Sequence, residues 1–75
     1  MKQFKIKFVW TGDNRMWYAN CDELRVTLEE GSFDALALRM RLAIQDVVET
    51  ELRHMGDIHL IYEIERIDVI KKAAV

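Results

Sequence analysis

Few residues in this chain have side chains that could carry out chemistry, and they are poorly grouped for it. Cys21 is the only thiol. A nucleophilic or redox cysteine needs a neighbouring histidine or a helix N-terminus to lower its pKa, and the sequence places neither beside it, so Cys21 reads better as a small residue at a strand end. His54 and His59 are the only histidines. A zinc site takes three or four ligands at recognisable spacing, and two histidines with one cysteine do not supply that pattern. Asp22 with Glu23, Glu29 with Glu30, and Glu63 with Glu65 could share acid–base work only if one carboxyl of a pair were desolvated; each pair falls in a turn or on a polar strand face. The expectation is therefore no catalytic residue, no metal and no cofactor. An alternative is an enzyme or RNA-processing subunit whose site forms across a dimer from Cys21, His59 and nearby carboxylates. That reading requires Cys21 and His59 to converge in one pocket.

The elements that position these residues follow from hydrophobic periodicity. Gln3 to Trp10 alternates, with Phe4, Ile6, Phe8 and Trp10 on one face and Lys5 and Lys7 on the other, a half-buried strand. Thr11 to Arg15 is a turn by composition, with Gly12 and Asn14 suited to positive φ. A second strand spans Met16 to Cys21, and a polar break at Asp22-Glu23 precedes a third, Arg25 to Glu29, with Val26 and Leu28 inward. One long helix then runs from Ser32 to about Met55. Ser32 is its N-cap, and Asp34 sits where the helix dipole favours an anion. Leu36, Met40, Ala43, Ile44 and Val47 share the face expected on the sheet, flanked by Phe33 and Val48. Arg53 and His54 suit the helix C-terminus, with Gly56 as the stop. The last strand, Ile58 to Arg66, points Ile58, Leu60, Tyr62 and Ile64 one way and His59, Ile61, Glu63 and Glu65 the other.

The whole is an α+β fold, β-β-β-α-β, a four-stranded sheet with one helix packed on one face. The helix carries the chain back to its starting end, so the last strand can pair parallel with the first in the order 3-2-1-4. The 75 residues make one domain, ordered over about 2–70 with a tail over about 71–75. A core this small contributes only about 3–5 kcal/mol of net stability, and one cysteine allows no internal disulfide. With 51% hydrophobic residues, apolar side chains remain for an interface, and a homodimer is expected. The charged fraction of 32% and net charge of −2 place the chain among soluble globular domains. No secretory signal and no membrane span is visible, so a cytoplasmic location is expected.

Two apolar groups are candidate interfaces. Leu38 and Leu42 lie one turn apart on the outer helix face, next to Arg39 and Arg41; Met16, Tyr18 and Ile61 lie on the sheet face without a helix. The sheet face is the expected homodimer surface. Lys2, Lys5 and Lys7 form a basic stripe, with Lys71-Lys72 as a possible extension. RNA readers place aromatics beside such charge, but Phe4, Phe8 and Trp10 alternate away from the lysines. Nucleic-acid binding by this chain alone is not expected.

Several segments resemble the N-terminal domain of HicB-type antitoxins, in particular a small prokaryotic HicB-like subfamily of unassigned function. They are Met16-Trp17-Tyr18-Ala19, the polar Cys21-Asp22-Glu23, Val26-Thr27-Leu28-Glu29-Glu30, the helix opening Ser32-Phe33-Asp34-Ala35-Leu36, and Val47-Val48-Glu49-Thr50-Glu51-Leu52. The resemblance covers roughly residues 4 to 66. It implies a partly degraded double-stranded-RNA-binding-like fold that binds and blocks a small basic RNA-cleaving toxin, HicA. Such antitoxins often carry a C-terminal ribbon-helix-helix or helix-turn-helix segment. Only about ten residues follow the fourth strand here, and Leu24-Arg25 stands where the family often has Pro-Gly, so binding of operator DNA by this chain is not expected. A third reading is a stand-alone structural homodimer with no toxin partner.

Overall fold

Alternation of apolar and charged residues at the start produces a ten-residue strand, and the rest of the sheet assembles around it. The computed structural model describes residues 2–73. Its elements are β1 (Lys2–Thr11), β2 (Met16–Cys21), a single 3-10 turn (Asp22–Leu24), β3 (Val26–Glu30), α1 (Phe33–Thr50) and β4 (Ile58–Ile67). The strand order is β3-β2-β1-β4. β1 pairs antiparallel with β2 through Phe8↔Ala19 and Trp10↔Trp17, and parallel with β4 through Phe4↔Leu60, Ile6↔Tyr62 and Phe8↔Ile64. β2 pairs antiparallel with β3 through Ala19↔Leu28 and Cys21↔Val26. The α+β architecture and the order expected from the sequence are both present.

Among the described residues, three left-handed positions set the chain's corners, and all three are arginines: Arg15 (φ 51°), Arg25 (φ 56°) and Arg53 (φ 52°). In the first turn the expectation of Gly12 and Asn14 is corrected to Arg15, whose N–H bonds the Thr11 carbonyl at 3.1 Å. Pairing of Thr11 with Met16 places the left-handed residue last in the loop, whatever its side chain. Gly12 instead donates its N–H to Ile67 O at 3.2 Å, prolonging the β1–β4 ladder.

Ser32 caps α1 as expected: the Ala35 N–H reaches Ser32 Oγ at 3.4 Å, and Asp34 lies in the first turn. The helix ends at Thr50, five residues before the expected Met55. Glu51 and Leu52 both donate to the Val47 carbonyl, and the His54 N–H reaches back to Val48 O at 3.1 Å, with Arg53 left-handed between them. Gly56 is not the stop, and Arg53 and His54 lie beyond the last turn, with no basic residue inside it. Local hydrogen bonding to the frayed carbonyls ends the helix before composition would.

The core comprises Phe4, Ile6, Phe8, Ala19 and Cys21 of the sheet and Leu36, Met40, Ile44 and Val48 of the helix. Val48, expected at the flank, is fully buried, whereas Ala43 and Val47 are half-buried, so the helix is rolled slightly from the expected orientation. At its N-terminal end Phe33 packs against Phe8 and Trp17, with ring centroids 4.8 and 5.1 Å apart. α1 lies chiefly over β3 and β2. Ile58 and Leu60 at the start of β4 still reach the core, but Tyr62 and Ile64 are 41% and 59% exposed. The four apolar residues share one face as expected, but that face divides between core and water. An α-helix is about 10 Å wide with its side chains, whereas four strands about 4.8 Å apart span more than that. One helix cannot roof the whole sheet. Among the described residues, no helix is long and apolar enough to cross a membrane. Every residue from Ile61 to Ala73 is exposed, and Lys71–Ala73 has no regular structure; Ala74 and Val75 of the expected tail lie outside the described residues.

Candidate functional site

Cys21 and His59 do not meet. Cys21 is on β2, on the helix side of the sheet, fully buried against Val26. His59 pairs with Gln3 on the opposite face of β4, and β1 runs between the two strands. Burial pushes the Cys21 thiol above its ordinary value of 9.0, with the charges of Glu23 and Asp22 acting the same way and backbone hydrogen bonds at Leu24 and Glu23 opposing. A protonated, enclosed thiol is a poor nucleophile. A second subunit cannot reach it without opening the core, so a shared site built on Cys21 has no support in this geometry.

Several of the other chemistry-bearing groups are engaged at the surface. Asp22 accepts a hydrogen bond from Asn20 Nδ2, and Asn20 Oδ1 accepts one from Thr27 Oγ1. Glu30 pairs with Arg39. On the helix-free face Lys5 pairs with Glu63 at 3.3 Å and Lys7 with Glu65 at 3.4 Å, each one rung diagonally across β1 and β4. Lys5 and Lys7 of the expected stripe are thus neutralised by the neighbouring strand, and Lys2 takes the other face of β1 opposite Ile58, so the stripe does not form the clustered positive charge that phosphate contacts require. His54 lies with Arg41, Gln45, Glu49 and Asp57 along an open cleft of about 280 Å³ between the second half of α1 and the start of β4. Its Nε2 is 3.4 Å from the Asp57 carbonyl. Among the described residues, no group of three or more His, Cys, Asp or Glu is placed to hold a metal ion.

What the fold does present is apolar surface. Leu38 and Leu42 are 58% and 57% exposed on the outer face of α1. Asp34 and Asp46 stand one helical turn before and after this pair. On the helix-free sheet face, Met16 and Tyr18 sit at one end, opposite Thr11 and Val9. Ile61 lies opposite Lys5, separated from them by the row of Lys7, Asn20 and Glu63. The five expected interface residues therefore form three places: the leucine pair, the Met16–Tyr18 corner and Ile61. Tyr18 is further tied down by a 2.9 Å hydrogen bond from Asn14 Nδ2 to its hydroxyl.

Sequence reasoning missed Tyr62 and Ile64. Their alternation with Leu60 marks them as inward, and only the count of one helix against four strands signals that part of that face stays bare. Tyr62 leans on Phe8, 5.1 Å between centroids, and Arg66 lies over the Trp10 ring at 4.5 Å, closing the end of the sheet.

Residues 3–69 match the family described as "Domain of unknown function (DUF1902)". No curated protein and no solved structure matches the chain.

Proposed function

The chain belongs to the DUF1902 family of domains, and from its surfaces we propose that it is a non-catalytic protein-binding domain of HicB type, acting in the cytoplasm by covering a small basic RNA-cleaving toxin. One observation carries the reading: Leu38 and Leu42 are held in water on a rigid helix, ringed by Asp34, Asp46, Arg39 and Arg41. Stacked leucines on a preformed helix suit insertion into a groove of a partner. The chain's net charge of −2 favours encounter with a basic partner, raising the rate more than the affinity. Two further features support the reading. The β-β-β-α-β order agrees with the fold that the HicB resemblance implies, and the neutralisation of Lys5 and Lys7 favours a protein over a nucleic acid as the partner.

The test is co-expression with a short basic HicA-type toxin encoded beside this gene. Rescue of growth by the domain is expected, with loss of rescue in the double variant Leu38→Glu/Leu42→Glu while its circular dichroism stays that of the parent. Growth arrest that the intact domain does not relieve sinks the reading, as does a double variant that rescues as well as the parent.

A further inference from the structure

β4 is an edge strand of ten residues with no neighbour on its outer side. Exposed edges of this length are normally shortened, bulged, charged inward or covered, because their free N–H and C=O groups template pairing with another chain. β4 is neither short nor covered, and its charges are turned away from the free edge: Glu63 and Glu65 pair with Lys5 and Lys7 of β1, and Arg66 lies over the Trp10 ring. Its helix-side residues Tyr62 and Ile64 lie in water beside the free edge, and on the other face Ile61 and Ile67 are 42% and 45% exposed.

The dimensions of the molecule point the same way. The chain exposes 5871 Å², whereas a compact monomer of its 8.9 kDa exposes about 4,800 Å². The excess of about 1,000 Å² is shared between the second half of β4 and the irregular residues 68–73, all of them exposed, and a standard interface takes roughly 800 Å² from each partner.

The sequence of β4 also selects one register with itself. In an antiparallel two-fold pair the same patch serves both subunits, and residues directly opposite share a sheet face. Centred on Tyr62, the pairing sets His59 opposite Glu65, Leu60 opposite Ile64, Ile58 opposite Arg66 and Tyr62 opposite its own copy, so that no like charges face each other. Centring on Glu63 sets that carboxylate against itself, and centring on Ile64 sets Glu63 against Glu65. Centring on Ile61 avoids the clash but shortens the overlap.

We propose that the occupant of this edge is a second copy of the chain, joined β4 to β4 in antiparallel fashion about Tyr62 to make one continuous eight-stranded sheet. The two exposed helix-side strips, Leu60, Tyr62 and Ile64 from each subunit, then form a single apolar floor across the two-fold axis. This relocates the expected homodimer from the helix-free face to the strand edge, and it leaves Leu38 and Leu42 free. It stands independently of the toxin-binding reading.

The experiment is the solution mass of the unaltered protein together with a cysteine placed on the axis. A mass twice that of the 8.9 kDa chain is expected. Opposed residues in antiparallel strands have Cα atoms about 4.5–5.5 Å apart, within the span of a disulfide. Tyr62→Cys should therefore become a covalent dimer on mild oxidation, while Leu42→Cys stays monomeric in a denaturing gel. Ile64→Lys should halve the mass and keep the parent's circular dichroism. If Tyr62→Cys does not fold, the double variant His59→Cys/Glu65→Cys repeats the test on the other sheet face. A monomeric parent overturns the proposal, as does cross-linking at position 42 without cross-linking on β4.

Discussion

β3 and β4 both border the sheet, yet they are finished differently. β3 has five residues and β4 ten. Arg39 crosses from α1 to β3, pairs with the Glu30 carboxylate and donates to the Glu29 carbonyl at 3.4 Å, tying the helix to that border strand. The helix also lies over β3, and Val26 and Leu28 are half-buried beneath it. β4 has no such side chain reaching across it and no roof over its second half. Its ion pairs with Lys5 and Lys7 run inward to β1 and leave the outer edge untouched. A domain with one protected border and one bare border has a direction in which it can extend, and the bare border is the one with matching apolar and charged residues.

The largest effect that would sharpen this contrast is a pair of truncations. Leu36→Ala, in the core over β2 and β3, should cost about 2–5 kcal/mol because it leaves a cavity among fully buried neighbours. Ile64→Ala should cost well under that in dilute protein, where its side chain is already in water, and more as protein concentration rises and the edge is covered. Urea midpoints over a concentration series check both. A concentration-independent loss at Ile64 equal to that at Leu36 would break the comparison.

Arg39→Ala removes the guard from β3. An exposed ion pair is worth little in itself, so the expected loss of stability is only about 0.5–1 kcal/mol. The sharper readout is light scattering on warming, which should rise in this variant because a second open edge appears.

Both borders are approached through left-handed arginines, Arg25 just before β3 and Arg53 ahead of β4. An L side chain in that region is strained by about 1–2 kcal/mol, partly offset in glycine by its freer unfolded state. Arg25→Gly and Arg53→Gly should each raise stability by about 0.5–1 kcal/mol, read as a higher thermal midpoint.

The smallest effect is one of pH. The Cys21 thiol, beneath the β2–β3 pair, titrates above its ordinary value because it is buried. The unfolded chain therefore loses this proton first as pH rises. The stabilising contribution is complete below about 9 and declines as pH climbs towards the folded-state value. Stability above pH 9 should fall more steeply in the parent than in Cys21→Ala, as measured by denaturant titration.

Much of the architecture can be read from side-chain order. Phe4, Ile6 and Phe8 alternating with lysines define β1, Ser32 with Asp34 marks where α1 begins, and the connection through one helix makes β1 and β4 parallel. The turn at Arg15 and the helix end near Arg53 cannot be read that way, because hydrogen-bond pairing and not residue preference chose those positions. The candidate surface divides along the same line. Leu38 and Leu42 stand out on a helical wheel, since every residue of a helix has a direction that follows from its number. Tyr62 and Ile64 do not, since a strand's alternation says which face a residue takes but not whether anything lies over that face.

The chain's order of apolar and polar residues thus determines the elements, their pairing and the outer leucine stripe, all of which follow from local geometry and chain connectivity. Which half of the sheet is roofed, and so which apolar side chains remain in water along β4, depends on where one helix about 10 Å wide comes to rest over four strands. That is a matter of packing between distant segments, and periodicity within a segment carries no information about it.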